Sequence, residues 1–283
     1  MTESDPQLLV STGWLATHLN APDVKVLDAT WRLPGAGGDP RADYEAAHIP
    51  EARFFDIDEI SDRNSPLPHM LPPMEKFVAR VRRMGIGDGH RVVVYDQDGL
   101  FSAARVWWMF RAFGHRDVAV LDGGLKKWIA EGREVEDIPP VPRERHFTGR
   151  KDASLIRDVT QVAAALKLGE EQLVDARSPS RFRGDEPEPR AGLRAGHMPG
   201  ARNVHYATLF NPDGAMKSVE ETRAIFEAAG VDLSRPVITT CGSGVTAAIL
   251  ALALERLGHR KVALYDGSWS EWGAYPDLAV ETG

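Results

Sequence analysis

The chain has 283 residues, 43% of them hydrophobic and 27% charged, which is the composition of a globular protein with one large or two ordinary domains. A net charge of −7 with no basic run excludes nucleic acid and anionic membrane as expected partners. A single cysteine excludes an internal disulfide and a multi-cysteine zinc site, and nine histidines without HExxH-type spacing predict neither metal nor cofactor.

The start, Met1-Thr2-Glu3-Ser4-Asp5-Pro6, is too acidic and polar for a signal peptide. The longest apolar run, Ala247 to Leu254, is too short to cross a bilayer, so the expected compartment is the cytoplasm.

In chain order, a helix is predicted around Trp14–Leu19 and a strand over Val24–Ala29. A Pro/Gly-rich loop covers Leu33–Pro40. Residues 61–73 hold four prolines and few periodic apolar positions, and read as a long surface loop with a functional or mobile role. Met74–Met84 is helical and stops at Gly85. Arg91–Asp96 is a buried strand, Ser102–Phe113 a helix closed by Gly114, Val118–Gly124 a strand entering a turn, and Leu125–Glu131 a short helix. Glu134–Arg150 is rich in Pro, Arg and Glu, which predicts a linker. The expected domains are 1–135 and 154–283, joined by 136–153.

The second half repeats the first. Gln172–Ala176 answers the strand ending Leu27-Asp28-Ala29, and Gly196-His197-Met198-Pro199 answers Ala47-His48-Ile49-Pro50. Leu257-Gly258-His259-Arg260 answers Phe113-Gly114-His115-Arg116, and Trp272 follows Asp266 at the interval by which Trp128 follows Asp122. A repeat this long is a duplicated domain. Alternating strand and helix make the fold class α/β, two tandem domains, each a mostly parallel sheet with helices on both faces. His48 and His197, Asp28 and Asp175, and Asp122 and Asp266 occur in both copies, so a shared structural role is expected of each pair. Trp107, Trp108, Trp128 and Trp272 read as packing residues.

One residue breaks the symmetry. Val237–Thr240 is a short β-branched strand, Cys241 follows, and Gly242-Ser243-Gly244 leads to the helix former Ala247–Leu257. Cys241 therefore sits where amides at a helix start favour an anion, and two glycines let the backbone wrap the sulfur. The loop carries no Lys or Arg. The competing reading is a buried structural cysteine. Alignment of the copies sets Asp96 opposite Cys241, which implies one active and one inert domain, with the site beyond the carboxyl ends of the strands.

These features resemble the rhodanese-type sulfurtransferases over nearly the whole chain. The resemblance rests on the tandem copies, His197-Met198-Pro199-Gly200-Ala201, Cys241-Gly242-Ser243-Gly244-Val245-Thr246, and Tyr265-Asp266-Gly267-Ser268-Trp269-Ser270-Glu271-Trp272. The neutral Cys loop is similar to that of the mercaptopyruvate-using branch. Glu51, Leu193 and Gly273 depart from the family pattern at positions that look structural. The resemblance implies that Cys241 is the nucleophile that becomes a persulfide, and that Ser243 works with His69 and Asp58. It further implies that Arg181 and Arg190 hold the substrate's carboxylate and carbonyl, with Gly242, Gly244, Val245 and Thr246 lining the site. Arg183, close to Arg181 in sequence, ranks third for that role. The implied activity moves the sulfur of 3-mercaptopyruvate to an acceptor thiol, such as thioredoxin or a small thiol, or to cyanide. Thiosulfate as donor, and a non-catalytic persulfide-carrying module, are the alternatives. A cysteine phosphatase would need an arginine six positions after the cysteine, where this chain has Ala247.

Overall fold

The computed structural model describes residues 8–33 and 35–283. The Met1–Pro6 start and Pro34 of the Pro/Gly-rich loop lie outside the described residues. Among the described residues, no helix is long and apolar enough to cross a membrane.

Each copy builds a five-stranded, wholly parallel sheet. The first contains β1 (Leu9–Val10), β2 (Val24–Asp28), β3 (Arg53–Phe54), β4 (Arg91–Tyr95) and β5 (Val118–Leu121), in the order β1-β5-β4-β2-β3. The second contains β6 (Ile156–Arg157), β7 (Gln172–Asp175), β8 (Arg202–Asn203), β9 (Val237–Thr240) and β10 (Val262–Tyr265), in the order β6-β10-β9-β7-β8. The two orders are the same when each strand is matched to its repeat, so the duplication seen in the sequence is a duplication of topology.

The central strands read as unbroken apolar or β-branched runs because helices cover both faces of a parallel sheet. Val92, Val93 and Val94 of β4 and Ile238 and Thr239 of β9 are all fully or almost fully buried. The first core gathers Val26, Val93, Tyr95, Leu121 and Trp128, and the second gathers Leu173, Ile238, Tyr265, Trp269 and Trp272. Trp107 and Trp108 are buried as expected.

The chain divides into two compact units. The first runs to Arg63 and takes in Leu71–Asp152 and Asn211–Met216; the second contains Asn64–Met70, Ala153–Phe210 and Lys217–Gly283. Of residues 136–153, read from composition as a linker, those up to Asp152 belong to the first unit and are bonded along it. Asp88 N donates to His146 O at 3.1 Å, Arg150 N to Phe113 O at 2.8 Å and Asp152 N to Ala112 O at 2.8 Å. Phe147 is wholly buried among Phe77, Phe110 and His115.

The duplicated histidines share a structural role. His48 bridges backbone to backbone with Glu136, and its Nδ1 meets Tyr44 O at 2.7 Å. His197 makes the same bridge with Glu281, and its Nδ1 meets Phe182 O at 2.8 Å. Each fastens a late segment of its copy to the loop that precedes the edge strand.

Candidate active site

β9 is buried at all four residues and delivers the chain to Cys241. The helix Ala247–Arg256 starts six residues on, its Ala248 and Ile249 amides bonded to Val245 O at 3.2 Å and Thr246 O at 3.1 Å. Gly244 N donates to Cys241 Sγ at 3.1 Å, and Gly244 holds φ +79°, a left-handed conformation that glycine adopts without a Cβ clash. Cys241 is 2% exposed, at the floor of its loop and not on an open surface. Val245 is likewise buried, and Thr246 occupies the N-cap position of the helix.

The segment after β10 clamps this loop from below. Cys241 N donates to Ser268 Oγ at 3.2 Å, and Ser268 Oγ donates to Tyr265 O at 2.8 Å. Trp269 N reaches Cys241 O at 3.0 Å, while Ser270 N and Ser270 Oγ reach Gly242 O at 2.8 Å and 2.7 Å. Ser268 takes φ +49°, an uncommon conformation for a non-glycine residue, and it sits at the point of contact. The sequence shows the Tyr265–Trp272 motif as a repeat and gives no sign that its serines hold the Cys loop.

Around the loop stand three of the expected polar residues. Arg190 Nη2 lies 3.4 Å from Ser243 Oγ and 3.3 Å from His69 Nε2. A guanidinium only donates, so Nε2 is the acceptor in that contact and the ring proton belongs on Nδ1. His69 is 7% exposed, although its loop was expected to lie on the surface. Its φ of +60° places a non-glycine residue in the left-handed region, a strain that marks functional positions. Asn64–Met70, which carries His69, belongs to the second unit with Cys241, Ser243, Arg181 and Arg190. Asp58 is in the first unit, on the short helix Ile57–Ile60, where its Oδ2 accepts Trp31 Nε1–H at 3.0 Å.

Arg181 approaches the loop from the other side, its Nη2 3.0 Å from where a Cβ on Gly242 would stand. That contact explains a glycine at 242. The Arg181 guanidinium is steered by Glu188, with Nη2 donating to Oε2 at 2.5 Å and Nε to Oε1 at 3.3 Å. Glu188 also accepts from Arg177 Nη1 at 2.8 Å, and Arg177 Nη2 bonds Asp175 Oδ2 at 2.7 Å. The Arg177 guanidinium stacks 4.4 Å over Trp269. Burial works against its charge, but Asp175 and Glu188 outweigh burial and raise its pKa. Arg177 and Glu188 are the positioning residues the sequence did not reveal; the only signal was a charged residue two positions past a duplicated strand-end aspartate. Arg183 pairs with Asp185 near the surface, so Arg181 is the arginine that meets the loop.

The equivalent turn of the first copy is built differently. Asp96 Oδ2 accepts N–H groups from Phe101, Ser102 and Ala103 at 2.7, 2.8 and 2.9 Å, and Oδ1 accepts from Asp98 N at 3.1 Å. A fixed carboxylate fills the anion cradle there. Burial raises the Asp96 pKa against the pull of those donors.

The rhodanese-like domain family matches residues 11–131 and 158–275. The chain is 45% identical to human 3-mercaptopyruvate sulfurtransferase, over 99% of this chain and 98% of that one. It is 46% identical to a thiosulfate sulfurtransferase of Cricetulus griseus, over 97% and 95%. The crystal structure of the 3-mercaptopyruvate sulfotransferase SseA of Escherichia coli superimposes with a TM-score of 0.85 at 40% identity, covering 93% of this chain and 99% of that one.

Proposed function

The chain belongs to the rhodanese family, and from that premise we propose that it is a sulfurtransferase whose donor is 3-mercaptopyruvate. The observation that carries the donor assignment is the pair of arginines flanking a neutral Cys loop, with Arg190 at Ser243 and Arg181 at Gly242. A planar carboxylate beside a carbonyl suits two guanidinium forks. Cys241, as thiolate, attacks the thiol sulfur of the donor; the S–C bond breaks and its electron pair leaves as pyruvate enolate. Ser243 and His69 relay the proton of the donor thiol to the enolate, giving pyruvate, and an acceptor thiolate then takes the outer sulfur from the Cys241 persulfide, leaving Cys241 as thiolate. The Gly244 amide, already directed at Sγ, supports negative charge at each stage. Asp58 belongs to this relay on the strength of the resemblance alone, and Asp58→Asn tests it.

Steady-state rates with 3-mercaptopyruvate and with thiosulfate, measured side by side on wild type, Arg181→Ala and Arg190→Ala, decide the donor. The expected result is a higher kcat/KM for 3-mercaptopyruvate, lost by roughly tenfold or more in each arginine variant. A preference for thiosulfate, or unaffected variants, overturns the assignment and favours the reading that the Cricetulus griseus relative supports. We place the protein in the cytoplasm, with a thiol as sulfur acceptor. The Arabidopsis thaliana relative, 41% identical, is named mitochondrial, so cell fractionation is the test of compartment.

A further inference from the structure

The two copies differ at a second place, at the amino end of their central strands. In the first unit, a groove between the helix Met74–Arg83 and the turn Phe113-Gly114-His115 is filled by the chain's own residues 142–152. Phe147 enters as a wholly buried anchor, and its carbonyl accepts from Arg82 Nη2 at 3.0 Å. Arg150 N bonds Phe113 O, and Arg150 O lies 2.7 Å from where a Cβ on Gly114 would stand. Asp88 binds both the amide and the hydroxyl of Thr148. The filler is net basic, with Arg143, Arg145, Arg150 and Lys151 against Glu144 and Asp152; the groove carries Asp88, which binds Thr148, and Asp117, which pairs with Arg91 at 2.7 Å, beside Arg82 and Arg116.

In the second unit the same groove is empty. A cavity of about 250 Å³ is lined by Arg223, Leu233, Leu257, Gly258, His259 and Lys261, among others, the repeat partners of Val78, Asp88, Phe113, Gly114, His115 and Asp117. A Cβ on Gly258 would meet nothing within 4 Å. The ring of His115 packs against Phe147, and the twin His259 lines the cavity. The charge differs: Leu233 and Lys261 replace the two aspartates, and Arg223 stands where the first copy has Val78, while Arg260 matches Arg116. Of the nearby acids, Glu255 lies 3.9 Å from Arg260 and Asp232 accepts from the amide and hydroxyl of Ser234, while Glu227 stands at the repeat position of Arg82. The cavity is smaller than the roughly 300–1,000 Å³ of pockets for drug-sized ligands. It suits one side chain and the backbone that carries it.

We propose that this groove is a docking site for an extended, acidic segment of a partner protein, anchored by one aromatic side chain as Phe147 anchors the filler of the twin groove. It lies at the opposite end of β9 from Cys241, so the docked segment leaves the sulfur unobstructed.

The test is ¹⁵N–¹H NMR of the full chain titrated with the peptide acetyl-Glu-Asp-Phe-Thr-Gly-Glu-amide. Parallel titrations use its Phe→Ser counterpart and inorganic phosphate. Saturable shifts confined to the amides of Ser234, Gly258 and His259 are expected, with binding weakened about tenfold in Arg223→Glu and in Lys261→Asp. Both variants should turn over 3-mercaptopyruvate at the wild-type rate, and loss of that turnover in wild type would bear on the function and not on the groove. Unmoved amides at millimolar peptide, equal binding by the Phe→Ser peptide, equal shifts with phosphate, or variants that bind as tightly as wild type would each overturn the proposal.

Discussion

Asp28 is a carboxylate buried at the end of β2, where its Oδ1 accepts both the amide and the hydroxyl of Thr30. Burial raises its pKa to about 6 from an ordinary 3.8, and the Thr30 bonds only moderate the rise. The fold therefore binds this proton more tightly than the unfolded chain does. Asp28 contributes stability fully below about pH 4, and that contribution is lost as pH rises through 6. An asparagine can accept the same two Thr30 bonds and cannot ionise. Asp28→Asn should gain thermal stability relative to wild type at pH 7.5 compared with pH 4.5, on the order of 1–3 kcal/mol. Melting curves at the two pH values check this, and an unchanged difference would show that folding does not raise the Asp28 pKa. His69 poses a residue-scale question about catalysis. Its left-handed backbone suits asparagine nearly as well, so His69→Asn removes the imidazole without adding strain. The kcat with 3-mercaptopyruvate should fall by roughly a hundredfold or more while the melting temperature holds. A wild-type kcat would take His69 out of the proton transfer.

At the scale of elements, the helix Pro179–Arg183 and the strand β7 hold Arg181 against the Cys loop through a chain of buried charges, Asp175–Arg177–Glu188–Arg181. Arg177→Met fills similar volume but leaves two buried carboxylates short of a cation. It should cost about 3–5 kcal/mol in chemical denaturation and raise KM for 3-mercaptopyruvate more than it lowers kcat, because Glu188 would hold Arg181 differently. A loss of stability with unchanged KM would make the network purely structural. This network also marks where sequence reading stopped. The central strands and the helices Ala103–Ala112 and Ala247–Arg256 were legible within a residue or two, because valine runs and long apolar periods carry strong local signals. The two-residue edge strands β1, β3, β6 and β8 show no period at that length. Residues 136–153 looked like a linker because one phenylalanine, Phe147, supplies the whole anchor while its neighbours are polar. Glu188 carries no local signal in Glu186-Pro187-Glu188-Pro189, since its burial depends on arginines brought to it by folding.

For the whole molecule, duplication produced equivalent strand-end turns, one holding Asp96 and the other Cys241, and under the proposed function it is the second that handles sulfur. In the second unit Cys241 has Ser243, His69, Arg181 and Arg190 around it. In the first unit the hydroxyl nearest Asp96 is committed: Ser102 Oγ donates to Ala29 O at 2.7 Å and accepts Trp31 N–H at 3.1 Å. Arg32 there is held by Asp43, and Arg41 lies over the Phe54 ring. A cradle alone gives a place for an anion; the proposed function requires a carboxylate grip and a proton source as well. The double variant Asp96→Cys, Cys241→Ala separates these requirements. It should form no persulfide by mass spectrometry and show no 3-mercaptopyruvate turnover above Cys241→Ala. It should also lose stability, because four amides lose a carboxylate acceptor, a cost of about 1–3 kcal/mol per poorly satisfied buried group. Activity restored at position 96 would mean that the strand-end loop is sufficient, and that the arginines and His69 contribute far less than their placement around Cys241 implies.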